Sequence, residues 1–229
     1  MTTLALDIET LCPEEHRAAI AEMAGERDPE AFGALCPPLA RVVCVCVAAI
    51  NGADEITKEL ALYDISASES SSLAWINPPI GAEACHGEGA MLKRLASILA
   101  KADRLVTFNG SSFDIPTLLL RSMAHGIHSP VLLAAHQEYR YKPDLNYDVR
   151  EQFSNFGRFR DGALRAFCLG LGLPDPKAEG DGAHVSDLVA RGDAESLVRY
   201  CRGDVRATAS LYKAWRAFHR APVPALVSE

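Results

Sequence analysis

Residues 3–9 read TLALDIE, and this short stretch decides the fold. Its alternation predicts a strand with Leu4 and Leu6 on one face and Asp7 and Glu9 on the other. A first strand this apolar belongs in the middle of a sheet, where two carboxylates need compensation for leaving water. A hard divalent cation supplies that compensation. The same pair on an edge strand would be no more than a solvated face, so Asp7 and Glu9 alone are a weak signal.

Working outward, RVVCVCVAAI at 41–50 is a continuous Val-rich run and predicts a fully buried strand. Asn51-Gly52 is a hairpin signal, with residues 55–63 as the returning strand, so the chain opens as a three-stranded meander. Before it, PEEHRAAIAEMAG (13–25) predicts a short helix and RDPEAFGALCPP (27–38) a loop. Residues 66–80 read as a connection. An amphipathic helix follows at 89–102, with Met91, Leu92, Leu95, Ile98 and Leu99 apolar. A strand at 104–108, a turn at Asn109-Gly110 and a helix at 115–125 imply a parallel crossover. Residues 139–162 show no clear pattern. Helix is expected at 162–171, a loop at 180–182, a helical turn at 185–190 and a long helix at 194–219. The expected architecture is one α/β domain over 1–217, a central mixed sheet with helices on both faces. Residues 11–40 form an insertion, a lid or an interface, and 218–229 a tail.

The net charge of −7 speaks against a protein that grips a long nucleic acid through many phosphate contacts. It suits an enzyme that holds only a strand's end beside metal ions. Between 199 and 220 the balance reverses, with Arg199, Arg202, Arg206, Lys213, Arg216 and Arg220 against Asp204. The seven cysteines are odd in number and lack a CxxC pair, which points to reduced thiols in a cytoplasmic protein. Cys44 and Cys46 are expected on one face of a buried strand. No histidine pair has a Cys or acidic partner at zinc-ligand spacing. No apolar run is long enough for a membrane span, and the N-terminus reads as a strand and not as a leader.

Two further acids join the first pair. Asp114, in VTFNGSSFDIP (106–116), stands between a strand and a helix, where taken alone it reads as a helix N-cap. Strand ends in parallel sheets are also where sites gather. Asp204 sits inside the long helix, where Asp is a poor helix former, with Tyr200 one turn earlier on the same face. Asp7-Ile8-Glu9-Thr10, then Asn109-Gly110 with Phe113-Asp114, then Tyr200-Cys201-Arg202-Gly203-Asp204 together resemble the DEDD superfamily of 3′–5′ exonucleases. The likeness is to its tyrosine (DEDDy) branch and the proofreading exonuclease domain of family B DNA polymerases. It extends over residues 1 to about 217, including Tyr147-Asp148, Phe156-Gly157-Arg158 and the loop before His184-Val185. The histidine branch would want His at 199, where this chain has Arg.

The resemblance implies an RNase H-like fold and two divalent cations, Mg²⁺ or Mn²⁺, held by Asp7, Glu9, Asp114 and Asp204. By the same likeness Asp7 bridges both ions, Glu9 and Asp204 complete the one that activates water, and Asp114 holds the other. Tyr200 orients the attacking water. Asn109 and Phe113 match family positions that hold the terminal nucleotide, and Thr10, Leu11 and Arg202 are further candidates for contact with the substrate, the 3′ end of a single strand, DNA before RNA. Product release as nucleoside 5′-monophosphates follows. An RNA-processing exoribonuclease and a non-catalytic nucleic-acid-binding module on this fold are the alternatives.

Overall fold

The computed structural model describes residues 1–67, 81–158, 162–179 and 185–220. The expected connection beyond 67, the loop at 180–182, His184 and the tail from 221 lie outside the described residues. Among the described residues the strands are β1 (Thr3–Leu11), β2 (Arg41–Ile50), β3 (Ile56–Asp64), β4 (Ala82–Cys85), β5 (Arg104–Thr107) and β6 (Asn146–Asp148). They form one sheet in the order β4-β3-β2-β1-β5-β6. The expected meander is there: β1, β2 and β3 pair antiparallel. The β5 strand pairs parallel to β1, and β6 parallel to β5, as the crossover requires.

The helices are α1 (Arg17–Ala24), α2 (Pro29–Ala34), α3 (Glu88–Leu99), α4 (Asp114–Ala124), α5 (Pro130–Gln137), α6 (Val149–Phe153), α7 (Leu164–Gly170), α8 (Val185–Ala190) and α9 (Ala194–Arg220). The stretch expected as a loop at 27–38 contains α2. Asp28 starts it by accepting from the Glu30 and Ala31 N–H groups, and Pro29 fits the first turn. The four-residue β4 and the helix α5 are additions to the expected elements. The last helix continues to Arg220, so 218–220 belong to it and not to a tail. The reason is electrostatic: buried Asp54 pairs with Arg216 at 3.1 Å and Arg220 at 2.8 Å. Among the described residues no helix is long and apolar enough to cross a membrane.

Each face of the sheet carries its own core. Leu4, Leu6 and Ile8 of β1 pack with Val45 and Val47 against Met91, Leu92, Leu95 and Leu99 of α3 and Ile115 and Leu118 of α4. Full burial of such side chains contributes about 1.5–3 kcal/mol each. On the opposite face the strands present smaller groups, Ala5, Cys44, Cys46, Ala48 and Ala61, to Leu197, Val198, Cys201 and Val205 of α9. Small strand residues let α9 lie close to the sheet, and that is the face from which Asp7 and Glu9 emerge. Between Glu9 and Thr10 the β1–β2 register shifts, with Val43 as the extra residue on β2. A bulge here re-aims the strand end beside the acids.

Candidate active site

Asp7 and Glu9 stand opposite Cys46 and Cys44 on β2, and α9 crosses above them. The Cys201 thiol of α9 lies 3.6 Å from the Asp7 carbonyl oxygen and 3.8 Å from its Oδ2. One oxygen of each acid and the Cys201 sulfur are mutually within 4.8 Å. Asp114 is buried as the first residue of α4, but makes no side-chain cap; the cap position is Phe113. The capping reading therefore fails. Its carboxylate instead meets the N–H groups of Ile8 and of Asp114 itself, so it turns toward β1. Asp204 lines, with Asp7, Asn109, Arg150 and Leu164, a cavity of about 480 Å³. The four acids thus gather from β1, α4 and α9 at one place.

Their protonation reflects that crowding. Burial first, then the charges of Asp114, Glu9 and Asp204, raises the Asp7 carboxyl far above the usual range. Glu9 is raised by burial, then by Asp204 among the acids. Burial and then Asp148 push Asp114 up to about 8. Asp204 rises to about 6 through burial, with Lys177 opposing. No ion pair joins any of the four to an Arg or Lys side chain among the described residues, and Glu9 Oε1 is buried without a hydrogen-bond partner there. A carboxylate cluster with an orphaned buried oxygen, edged by the Cys201 thiol, fits a divalent cation.

Tyr200, Glu9, Thr10, Leu11 and Phe113 line a second cavity of about 360 Å³, whose far wall is α2. The Tyr200 phenol is raised well above its ordinary value by burial and by Glu9, Asp204 and Asp7. Thr10 is committed structurally, because its hydroxyl donates to the Ala34 carbonyl at 2.6 Å and so ties α2 to β1. The insertion is thereby a wall of the cleft. Arg202 is not brought to the site. It donates to the Gly81 carbonyl at 2.8 Å, as expected two residues from Asp204, about 200° around a helix. Arg199 pairs with Glu195 at the surface, and Arg206 with Glu59.

Sequence reasoning missed three features. Buried Asp148 accepts from the N–H groups of Asn109 (2.9 Å), Ser111 (3.0 Å) and Arg150 (3.1 Å), fixing the turn before Asp114. The Asp148–Glu151 spacing, a capping-box pattern, was its signal. Arg150 donates to Asn109 Oδ1 at 2.5 Å, and Asn109 adopts φ 64° to present that oxygen. Finally, the sulfurs of Cys44, Cys46 and Cys201 lie mutually within 4.8 Å. Chain spacing hides a thiol cluster that the fold assembles.

Comparison with known proteins identifies the family and the fold. A family model described as "Predicted 3'-5' exonuclease related to the exonuclease domain of PolB" matches residues 35–221. That span includes Asn109, Phe113, Asp114, Tyr200 and Asp204 and begins after Asp7 and Glu9. DNA polymerase 1 of Saccharolobus solfataricus is 27% identical over 174 residues, 71% of this chain but only 19% of the polymerase. The family B DNA polymerase from the archaeon Pyrobaculum calidifontis matches 95% of this chain and 25% of its own, with TM-score 0.58 and 17% identity. The zinc-bound E. coli ExoI–ssDNA complex matches 94% of this chain and 40% of its own, with TM-score 0.55 and 12% identity. These structural likenesses establish the RNase H-like fold.

Proposed function

The chain belongs to the family of 3′–5′ exonucleases related to the exonuclease domain of PolB, and we propose that it hydrolyses phosphodiester bonds from the 3′ end of single-stranded DNA. Nucleoside 5′-monophosphates are the product. The observation that carries this reading is the burial of four acids in one cluster without a cationic side chain paired to them. Two divalent cations, Mg²⁺ or Mn²⁺, would supply the charge that neutralises the scissile phosphate and makes water nucleophilic at neutral pH.

In this reading Asp7, Glu9 and Asp204 would hold one cation, and Asp7 with Asp114 would hold the other. Tyr200 keeps its proton at neutral pH, because its surroundings penalise the phenolate. In this reading it orients the attacking water by hydrogen bond and does not act as the base, as a member of the tyrosine branch would. Phe113 and Leu11, in the cavity shared with Glu9, pack on the terminal sugar and base. Asn109 works jointly with Arg150, whose guanidinium it holds in the cavity of Asp7 and Asp204.

Incubating 5′-labelled single-stranded DNA with the protein and Mn²⁺ should give a ladder shortened from the 3′ end. A labelled RNA of the same sequence, run in parallel, should shorten more slowly. Faster loss of RNA would make the enzyme an exoribonuclease, and intact strands in both lanes would leave a binding module.

A further inference from the structure

Beyond α6 the surface carries an aromatic cluster that the fold leaves in water. Tyr139 and Tyr141 are 70% and 60% exposed. Their rings stand edge to face at 5.7 Å, and Tyr141 meets Phe156 in the same way at 4.8 Å. The Arg140 guanidinium lies 6.0 Å from the ring centres of both Tyr141 and Phe156.

The loop that bears these rings is braced. The Glu138 carboxylate accepts the N–H groups of Asp144, Leu145 and Asn146, the last at 2.8 Å. Arg140 pairs with Glu151 at 2.7 Å. The rings are therefore fixed in place without being buried, an arrangement that favours binding because little ordering cost remains. The local charge also departs from the rest of the chain. Between 139 and 158 the exposed charged side chains are Arg140, Lys142, Arg158 and Asp144, in a protein of net charge −7.

Position links this surface to the acids. Glu151, the partner of Arg140, directly follows Arg150, whose guanidinium reaches the cavity of Asp7 and Asp204. Both residues belong to α6, a helix only five residues or about 8 Å long. Stacked rings flanked by cations suit a strand of bases and phosphates, and they are tolerant of sequence.

We infer that Tyr139, Tyr141 and Arg140 form a stacking platform for the single strand on the 5′ side of the scissile bond. The assignment rests on the exonuclease reading for its orientation. The test compares an oligothymidylate with the nitrophenyl ester of thymidine 5′-monophosphate, which is too short to reach the platform. Tyr139→Ala combined with Tyr141→Ala should lower the ratio of kcat/KM, oligonucleotide over ester, by about tenfold, the loss of roughly one base stack. Tyr139→Phe with Tyr141→Phe should restore it, since stacking needs the ring and not the hydroxyl. An unchanged ratio in the alanine variant overturns the platform. If the wild-type protein cleaves neither substrate, the exonuclease reading has failed separately. Fluorescence anisotropy of a labelled oligothymidylate then decides: about tenfold weaker binding by the alanine variant keeps the platform, and equal binding removes it.

Discussion

Two buried acid sites in this molecule are built in opposite ways. Glu88, at the start of α3, is burdened by burial but receives Arg121 through Nε (2.9 Å) and Nη2 (2.6 Å), His125 at 2.9 Å and the Val42 N–H at 2.8 Å. Those partners outweigh burial and bring its carboxyl below the usual range. Asp7, Glu9, Asp114 and Asp204 suffer the same burial with mutual repulsion added, and their carboxyls rise. The first arrangement is complete within the protein and ties α3 to α4 and β2. The second is complete only when positive charge arrives from outside. A protein that retains an unpaired acid cluster is using it for something other than stability.

The widest separation between the sites should come from truncation. Asp7→Ala or Asp204→Ala should lower kcat/KM on single-stranded DNA by about a thousandfold or more, since loss of one group that stabilises developing charge alone costs on the order of 10²–10³. The same variants should unfold at a temperature equal to or above that of the wild type in EDTA. Glu88→Gln should do the reverse. Urea denaturation should show a loss of about 3 kcal/mol, the usual cost of breaking a buried pair, while the folded fraction keeps its activity.

The pH dependence should also diverge. The raised acids stabilise the metal-free fold only while protonated, so their contribution disappears as pH rises through about 6 for Asp204 and about 8 for Asp114. Glu88, held low, contributes above the ordinary glutamate pKa and loses that contribution as pH falls through its lowered value. Thermal melts in EDTA should therefore drop from pH 6 to 8 in the wild type, with the drop reduced in Asp114→Asn. Mn²⁺ should restore the melting temperature most at the alkaline end. A smaller effect belongs to Tyr200→Phe, where kcat should fall about tenfold through one lost hydrogen bond to water. Smallest of all, Arg199→Ala breaks an exposed pair with Glu195 and should change stability by less than about 0.5 kcal/mol.

Periodicity made the long elements legible. β1, β2, β3, α3 and α9 lie where their apolar patterns place them, because the central strands β1 and β2 are buried on both faces and the helices bury one continuous stripe. The short elements escaped for identifiable reasons. α2 has six residues and is set by the local Asp28-Pro29 start, while β4 has four and gains its meaning only from pairing with β3. Asp114 shows the limit of reading one residue at a time. Its position suggested a cap, yet the packing of α4 turns its carboxylate to β1. Arg202 was misjudged through its sequence neighbourhood, because helix rotation carries it to Gly81. Asp148 carried a local capping signal, but its hold on the Asn109 turn and the meeting of the three thiols depend on contacts between elements far apart in the chain.

The most direct measurement is a titration of Mn²⁺ into the protein at neutral pH, followed by the loss of the free-ion electron paramagnetic resonance signal. The account predicts two bound ions in the wild type, with weakened binding in Asp7→Ala and unaltered binding in Glu88→Gln. Equal Mn²⁺ uptake by the wild type and Asp7→Ala, or none by either, would contradict it.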